Sequence, residues 1–197
     1  MFDTSININL QGSLVQLIPL TLKHNIHLYS ILESFPDLMQ YSPSVINSLK
    51  TAEDYISTAL KERAAGRAYP FAVQHAVNGQ IYGTTRFGNI SSVHNRLEIG
   101  WTFLTPEVHG TGINTEMKFL MLTHAFESLK CNRVELKTDR RNLQSRKAIL
   151  KLGAQEEGTL RSHTLMSDGH RRDTVYYSIL QNEWSSIKEM LKQKLNI

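Results

Sequence analysis

The chain has 197 residues, of which 41% are hydrophobic, and its formal net charge at pH 7 is +4. This length and composition suit one globular domain with a substantial core, and they argue against a disordered chain. No apolar run approaches the roughly 18 residues that a membrane-spanning helix needs, and the first ten residues lack the features of a secretory signal peptide. We therefore expect one domain over residues 1–197 in a soluble, cytoplasmic protein.

The sequence argues against nucleic-acid binding as the main function and against a metal site. The excess of basic residues is small and spread along the chain, and no nucleic-acid-binding motif is present, so nucleic-acid binding is not expected as the main function. Cys131 is the only cysteine, which excludes an intramolecular disulfide, and His24 and His27 share one helix face without the further ligands that a metal site needs. We predict no metal, and we expect Cys131 to be buried.

Hydrophobic periodicity and turn residues predict the secondary structure in chain order. The chain begins with a strand and two helices, continues with three strands, and ends with alternating helices and strands. The predicted elements are strand 13–19, helix 21–32, a helix with Thr51 as N-cap that ends near Gly66, strands 71–77, 81–90 and 96–104, helix 114–129, strand 133–138, helix 142–152, strands 154–165 and 172–179, and helix 183–194.

Two of these segments indicate the type of sheet. Asn78-Gly79 between two apolar segments is a strong hairpin signal, which predicts an antiparallel pair of strands. The following strand alternates between apolar and polar residues, which places its apolar residues on one face: Leu97, Ile99, Trp101 and Phe103. We predict the α+β class, with a mostly antiparallel mixed sheet of about seven strands flanked by helices.

A glycine-rich turn, His109-Gly110-Thr111-Gly112, lies between a predicted strand and a predicted helix. Glycines allow a ligand to approach the backbone closely, and the free amides of a helix start favour a phosphate. A dinucleotide-binding fold would need a third glycine at the position of Thr115 and a preceding parallel strand. The turn therefore indicates a different pyrophosphate-binding loop, although the pattern alone also fits an ordinary glycine turn.

The predicted helix 142–152 places a hydroxyl group beside the sheet. Its inward face consists of Ser145, Ala148, Ile149 and Leu152, at helical spacing. Ser145 is therefore a candidate for contact with a ligand. Two structural roles remain open for it, namely close packing by a small residue and a hydroxyl that bonds back to the helix start.

The two segments together resemble a known family. HGTGINTE, the strand RVELKTD and then N-x-x-S-R-K-A-I-x-K-L-G-A resemble the GNAT superfamily of N-acetyltransferases, in particular the RimJ/RimL-like branch of ribosomal-protein N-terminal acetyltransferases. The resemblance covers about residues 14–180. Three residues before the first glycine, where the wider superfamily has Gln or Arg, this chain has Glu107. The resemblance implies a single GNAT-like domain and an acetyl-CoA-dependent N-acetyltransferase.

The resemblance also implies where acetyl-CoA, the expected co-substrate, would bind. Its pyrophosphate would contact the backbone amides of the glycine turn, and its pantetheine arm would lie along residues 101–104 in a gap between two strands. The residues assigned to acetyl-CoA in this way are Trp101, Phe103, Leu104, His109, Gly110, Thr111, Gly112, Ile113, Asn114, Asn142 and Ser145.

The family chemistry is a direct attack by an amine on the acetyl thioester, and the attacking amine must first lose a proton. Glu98 matches a carboxylate that is common in the resembling branch, and it is our candidate base. Its alternative role is a structural ion pair with Arg96 or with a neighbouring segment. Ser145 is the candidate proton donor to the leaving thiolate, with Tyr176 and Tyr177 as alternatives.

The acceptor implied by this chemistry is a primary amine of a protein N-terminus or of a small molecule. Two other functions remain open at this point. The chain could be a sensor that binds CoA metabolites without catalysis, or a protein associated with the ribosome or RNA. A homodimer is compatible with the sequence, but no segment has the pattern of an interface.

Overall fold

The computed structural model describes residues 2–197, in which helices pack on both sides of a central sheet. The strands are β1 (Leu10–Gln11), β2 (Val15–Pro19), β3 (Tyr69–His75), β4 (Ile81–Ser91), β5 (Arg96–Leu104), β6 (Arg133–Asp139), β7 (Gln155–Leu165) and β8 (Arg171–Leu180). The helices are α1 (Asn25–Ser34), α2 (Leu49–Ala64), α3 (Ile113–Thr123), α4 (Leu143–Lys151) and α5 (Trp184–Leu195). Short 3-10 turns lie at Leu22–His24, Pro36–Met39 and Pro106–Val108.

The strand order in the sheet is β1-β2-β3-β4-β5-β6-β8-β7. All neighbouring strands are antiparallel except β5 and β6, which are parallel. The predicted α+β class and mostly antiparallel mixed sheet are therefore confirmed, and the two-residue strand β1 is the one that the sequence did not predict. Among residues 2–197, no helix is long and apolar enough to cross a membrane.

Two hydrophobic cores lie on opposite sides of the sheet. On one side, α3, α4 and α5 contribute Met117, Ile149 and Leu191 to the larger core. On the other side, α1 and α2 contribute Leu28 and Ile56 to the smaller core. We call these the α3 side and the α2 side of the sheet. Burial of each such side chain contributes about 1.5–3 kcal/mol to folding, which fixes the helices against the strands.

A β-bulge in β5 changes which residues of this strand share a face. Gly100 lies opposite Arg86 and Phe103 lies opposite Thr84, so Trp101 and the residue after it share a single partner position on β4. Trp101 has a φ of 51°, in the left-handed region. The extra residue reverses the alternation of the strand. Our prediction that Leu97, Ile99, Trp101 and Phe103 share one face was therefore wrong, since Leu97 and Ile99 pack in the α3-side core and Phe103 packs in the α2-side core.

The start of α2 also differs from the prediction. The N-cap is Ser48, not Thr51, and the Ser48 hydroxyl accepts a hydrogen bond from the Thr51 amide at 3.2 Å. Thr51 is the third helical residue, and its hydroxyl accepts a hydrogen bond from the Ser48 amide at 3.0 Å. This reciprocal capping box satisfies two backbone amides and begins the helix at Leu49. The predicted helix 114–129 corresponds to α3 followed by a π-helical turn at His124–Ser128.

Candidate active site

A gap opens in the middle of the sheet between β5 and β6. The two strands pair only where Arg96, Leu97 and Glu98 lie beside Arg133, Val134 and Glu135. Both strands continue beyond this point, but the bulged part of β5 no longer pairs with β6. Backbone groups of β5 that face the gap are therefore left without a strand partner.

A cavity of about 510 Å³ fills this gap and reaches both sides of the sheet. On the α3 side, its walls include Asn114 and Lys118 of α3 and Ser145 of α4. On the α2 side, they include Tyr55 of α2 and Arg172 of β8. Two ligands can therefore enter from opposite sides and meet inside the sheet.

The glycine turn lies at the start of α3. Gly110 and Gly112 have φ values of 79° and 91°, which glycine adopts without strain. Gly112 is the N-cap of α3, and no side chain caps the first turn. The first amides of the helix are therefore available to an anion. A β-carbon at Gly112 would lie 3.5 Å from Cδ1 of Leu14, so a larger side chain there would press on the neighbouring strand connection.

The residues assigned to acetyl-CoA from the sequence divide into two groups in the structure. Those that line the cavity are Trp101, Phe103, Leu104, His109, Asn114, Asn142 and Ser145. Those that form the turn beside it are Gly110, Thr111, Gly112 and Ile113. The Ile113 side chain is buried in the α3-side core, so only its backbone can face a ligand.

Side chains attach the glycine turn to its surroundings. His109 Nε2 lies 3.2 Å from the Leu104 carbonyl oxygen, and the Thr111 hydroxyl donates to the Val108 carbonyl at 2.8 Å. Glu116, in the first turns of α3, is buried and accepts hydrogen bonds from the amides of residues 13–15 and from the Ser13 hydroxyl, at 2.7–2.9 Å. The loop before β2 is thereby fixed to the helix that carries the turn. Sequence reasoning missed Glu116, because nothing in the chain order relates it to residue 13.

The start of α4 is built as the sequence predicted. Asn142 is the N-cap, and its side-chain oxygen accepts a hydrogen bond from the Ser145 amide at 2.9 Å. The predicted inward face, Ser145, Ala148, Ile149 and Leu152, lines the cavity. The cap uses the amide of Ser145 and not its hydroxyl, so the cap itself leaves that hydroxyl free to contact a ligand.

Lys118 is a buried amine on the α3 side that sequence reasoning missed. Its Nζ donates a hydrogen bond to the Thr102 hydroxyl at 2.9 Å, and the residue is 7% exposed. None of the ion pairs among residues 2–197 includes Lys118. Burial lowers the pKa of Lys118 to about 7. The sequence did contain a signal for Lys118: it lies four residues after Asn114, so the two side chains share one face of α3.

Glu98, the candidate base, is buried on the α2 side with two partners. Its Oε2 accepts a hydrogen bond from the side-chain Nδ2 of Asn89 at 2.6 Å and forms an ion pair with Lys137 Nζ at 2.7 Å. Its Oε1 points toward Gly100, where a β-carbon would lie 3.1 Å away. Burial alone would lower the pKa of Lys137, but the Glu98 carboxylate, together with Tyr176 and Glu135, holds this pKa above its ordinary value.

The structure therefore contains the structural ion pair that the sequence left open for Glu98. Its partner is Lys137 of the neighbouring strand, whereas Arg96 pairs with Glu135 at 3.0 Å. The sequence could not identify Lys137, because the partner depends on the parallel register of β5 and β6. Since both contacts engage Oε2, the ion pair does not occupy Oε1.

Trp101 forms part of an aromatic wall on the α2 side. Its ring lies over Gly88, where any side chain would collide with it. The Arg86 guanidinium lies 4.9 Å from the centroid of the Trp101 ring and 5.5 Å from that of Tyr55. Arg86 is 6% exposed, and its Nε has no hydrogen-bond partner among residues 2–197. A buried positive charge therefore stands directly behind this wall.

The remaining candidates are not among the residues that line the cavity. The Tyr177 hydroxyl accepts a hydrogen bond from Arg146 at 3.1 Å, and Tyr177 is fully buried in the α3-side core. Tyr176 faces the α2 side, where Lys137 Nζ lies 4.6 Å from the centroid of its ring. Cys131 is buried, as expected, and burial raises its pKa to about 11, which disfavours the reactive thiolate.

Comparison with known proteins gives a consistent family. A family model described as an acetyltransferase (GNAT) domain matches residues 15–155. YdaF of Bacillus subtilis (strain 168), whose name proposes a ribosomal N-acetyltransferase, is 35% identical over 111 residues. That alignment covers 56% of this chain and 60% of YdaF, so the chain spans less than two thirds of this relative.

Solved structures share the fold over nearly the whole chain. A protein of T. thermophilus that is described as an acetyltransferase has a TM-score of 0.85 and 30% identity, with 95% of this chain and 96% of that chain covered. RimJ of Mycobacterium smegmatis, solved in complex with CoA-disulfide, has a TM-score of 0.79 and 22% identity, with 95% and 93% covered. Because the family model matches well over half of the residues, the chain belongs to the GNAT acetyltransferase family.

Proposed function

We propose that this protein is a single-domain enzyme that transfers an acetyl group from acetyl-CoA to a primary amine by direct attack in a ternary complex. The observation that carries the proposal is the cavity that passes through the sheet between β5 and β6. Such a passage lets two substrates enter from opposite sides and react without a covalent enzyme intermediate. The CoA compound bound to M. smegmatis RimJ and the name of YdaF support CoA chemistry and an amine acceptor.

The α3 side suits acetyl-CoA. The uncapped start of α3 after Gly112 offers backbone amides to a pyrophosphate, and the helix dipole adds to this attraction. The unpaired backbone of β5 beyond Glu98 can bond to the amide groups of the pantetheine arm as a strand would. The walls near Ser145 and Ile149 are small or apolar, which suits the thioester end.

The chemistry needs proton movement at two atoms. Acetyl-CoA supplies the thioester, and the new N–C bond forms as the C–S bond breaks and CoA leaves as a thiolate, which takes up a proton from solvent to become the free thiol. Glu98 Oε1 accepts the proton that the amine must lose, directly or through a water molecule. The Ser145 hydroxyl donates a hydrogen bond to the leaving sulfur. Asn89 and Lys137 fix the carboxylate by its other oxygen.

The α2 side would receive the acceptor amine. The loop that follows Pro36–Met39 contributes Tyr41 and Pro43 to the cavity wall there, beside Arg172. The proposed acceptor is the amine of a protein N-terminus or of a small molecule.

Calorimetric titration with acetyl-CoA tests the cofactor half of the proposal. We expect the parent protein to bind, and we expect Gly112→Trp to lose binding because a bulky residue with a positive φ must disturb the turn. Gly79→Trp is the matched control, since Gly79 has a φ of 72° in a distant hairpin with open space around it. It should lose some stability and keep its affinity.

Transfer is then measured as release of free thiol with a panel of amines. Acetylation of at least one amine supports the enzyme. Binding without any transfer would favour a sensor of CoA metabolites, and a folded parent that binds no acetyl-CoA would contradict the proposal outright.

A further inference from the structure

Arg172 on β8 is a cation at the α2 side of the cavity whose observed partners are all neutral. Its Nε donates a hydrogen bond to the Thr174 hydroxyl at 3.1 Å, and its Nη1 donates to the Tyr41 carbonyl oxygen at 3.2 Å. Arg172 is partly buried and lines the cavity. Burial lowers its pKa, although Asp139 and Glu98 act in the opposite direction. An arginine still keeps its charge at neutral pH.

The carboxylates nearest to Arg172 are engaged elsewhere. Glu98 pairs with Lys137 at 2.7 Å, and Asp139 pairs with Arg141 at 2.8 Å. No ion pair among residues 2–197 includes Arg172. A charge that is partly withdrawn from water and forms no direct ion pair is costly unless a ligand supplies the anion.

Arg86 adds a second positive charge on the same side. It is more deeply buried than Arg172, it has an Nε without a partner, and it lies against the rings of Tyr55 and Trp101. Both rings line the cavity. The α2 side of the cavity therefore has Arg172 in its wall and Arg86 behind its wall, and neither arginine forms an ion pair with a carboxylate of residues 2–197, which favours an anionic ligand there.

The geometry of the guanidinium indicates which anion fits. A guanidinium has five N–H donors, and Arg172 uses one on Nε and one on Nη1. Three N–H groups remain, one on Nη1 and two on Nη2, and donors on two adjacent nitrogens suit the two oxygens of a carboxylate. Tyr41 and Thr174 hold the guanidinium at Nε and Nη1, so the remaining donors are oriented before a ligand arrives.

We infer that the acceptor amine carries a carboxylate several bonds from its nitrogen, and that Arg172 binds this carboxylate while the amine reaches Glu98. The inference rests on the proposed acetyl transfer and narrows its acceptor. An acidic side chain at the N-terminus of a peptide and a free acidic amino acid present the same chemistry.

Matched pairs of acceptors test the inference. The kcat/KM for acetyl transfer is measured with glutamate against glutamine, and with tripeptides that begin with Glu against tripeptides that begin with Gln. We expect the acidic member of at least one pair to be preferred about 10- to 100-fold, as a charge-assisted bidentate contact allows. The pair with the larger preference shows whether the acceptor is an amino acid or a peptide.

The variants Arg172→Met and Arg171→Met separate a specific contact from general charge. Arg171 is the exposed neighbour on β8, so its loss removes the same charge from the same strand. Arg172→Met should abolish the preference for the acidic acceptor, whereas Arg171→Met should keep it. Arg172→Lys should retain a small part of the preference, because lysine keeps the charge and loses the planar fork. Unchanged acetyl-CoA affinity shows that each variant is folded.

The parent protein alone can also overturn the inference, even if Arg172→Met does not fold. Equal or better transfer to the neutral member of both pairs contradicts it and leaves the proposed acetyltransferase intact. A preference that survives in a folded Arg172→Met variant contradicts it as well. Transfer to no amine at all would remove the proposed function and the inference with it.

Discussion

The two sides of the cavity are built in different ways. The α3 side takes its main features from two short continuous segments, the glycine turn before α3 and the start of α4, and the backbone does much of the work. The α2 side is assembled from side chains of the loop after α1, α2, β5, β6 and β8. A site made of local backbone geometry leaves a motif in the sequence, whereas a site made of distant side chains does not.

The charges on the two sides differ as well. On the α2 side, Glu98 and Lys137 form a buried ion pair. On the α3 side, Lys118 is buried with only the neutral Thr102 hydroxyl as its partner. Removing one member of a buried ion pair leaves the other charge buried without a partner. Removing an isolated buried charge instead removes the desolvation cost of that charge. Substitutions on the two sides should therefore change stability in opposite directions.

Glu98→Gln should have the largest effect. We expect kcat/KM to fall about 100- to 1,000-fold, since a general base contributes on this scale and an amide accepts no proton at neutral pH. The variant should also be less stable by about 1–3 kcal/mol, because Lys137 loses its partner. Rates of thiol release and unfolding in urea measure the two effects, and acetyl-CoA affinity should remain unchanged.

The double variant Glu98→Gln/Lys137→Met distinguishes the base from the ion pair. Without the stranded ammonium group, we expect stability to return toward that of the parent. The rate should stay low if Glu98 accepts the proton. Recovery of both stability and rate in the double variant would show that the carboxylate acts through the structure alone.

Lys118→Met should have the opposite effect on stability. Burial lowers the pKa of Lys118 from 10.5 to about 7, so between these pH values the unfolded chain binds a proton that the folded chain does not. The free energy of unfolding therefore rises with pH across this window. Methionine removes a charge whose burial costs about 4 kcal/mol at pH 7 and loses the hydrogen bond to Thr102, so the variant should gain about 2–3 kcal/mol.

Urea unfolding at pH 7 and pH 9.5 measures this gain, and Lys147→Met on the exposed face of α4 is the control. The gain of Lys118→Met should shrink at the higher pH, and the control should show neither effect. A Lys118→Met variant that is less stable than the parent at both pH values would mean that the amine is held by more than the Thr102 hydroxyl.

The fold was largely accessible from the sequence because its signals are local. The hairpin at Asn78-Gly79 and the cap at Asn142 need only neighbouring residues, and both are present in the structure. The bulge at Trp101 was missed, because residues 96–104 alternate without interruption and an inserted residue shows only against the partner strand. That one residue moved Trp101 and Phe103 to the α2 side.

The candidate site was also predicted where its signals are local and missed where its residues meet only through long-range contacts. The cavity receives Asn114, Asn142 and Ser145 as the two motifs implied, and their roles toward acetyl-CoA remain predictions. Lys137 and Arg172 were not found, because they become neighbours of Glu98 and Tyr41 only through strand pairing and loop packing. The identity of an acceptor depends on such long-range neighbours, which explains why the sequence indicated the cofactor more clearly than the amine.

Ser145→Ala should have the smallest effect of the three and should test the α3 side alone. Loss of one hydrogen bond to the leaving sulfur should lower kcat about tenfold, because a bond to a charged acceptor contributes more than 1 kcal/mol. Acetyl-CoA affinity should hardly change, since the charge on sulfur develops only during the reaction. Ser186→Ala on α5 is the control, because this hydroxyl donates to the Glu183 carbonyl far from the cavity. A loss of affinity equal to the loss of rate would instead make Ser145 a binding residue for the thioester, and the hydrogen bond to the leaving sulfur would have to come from another group on the cavity wall.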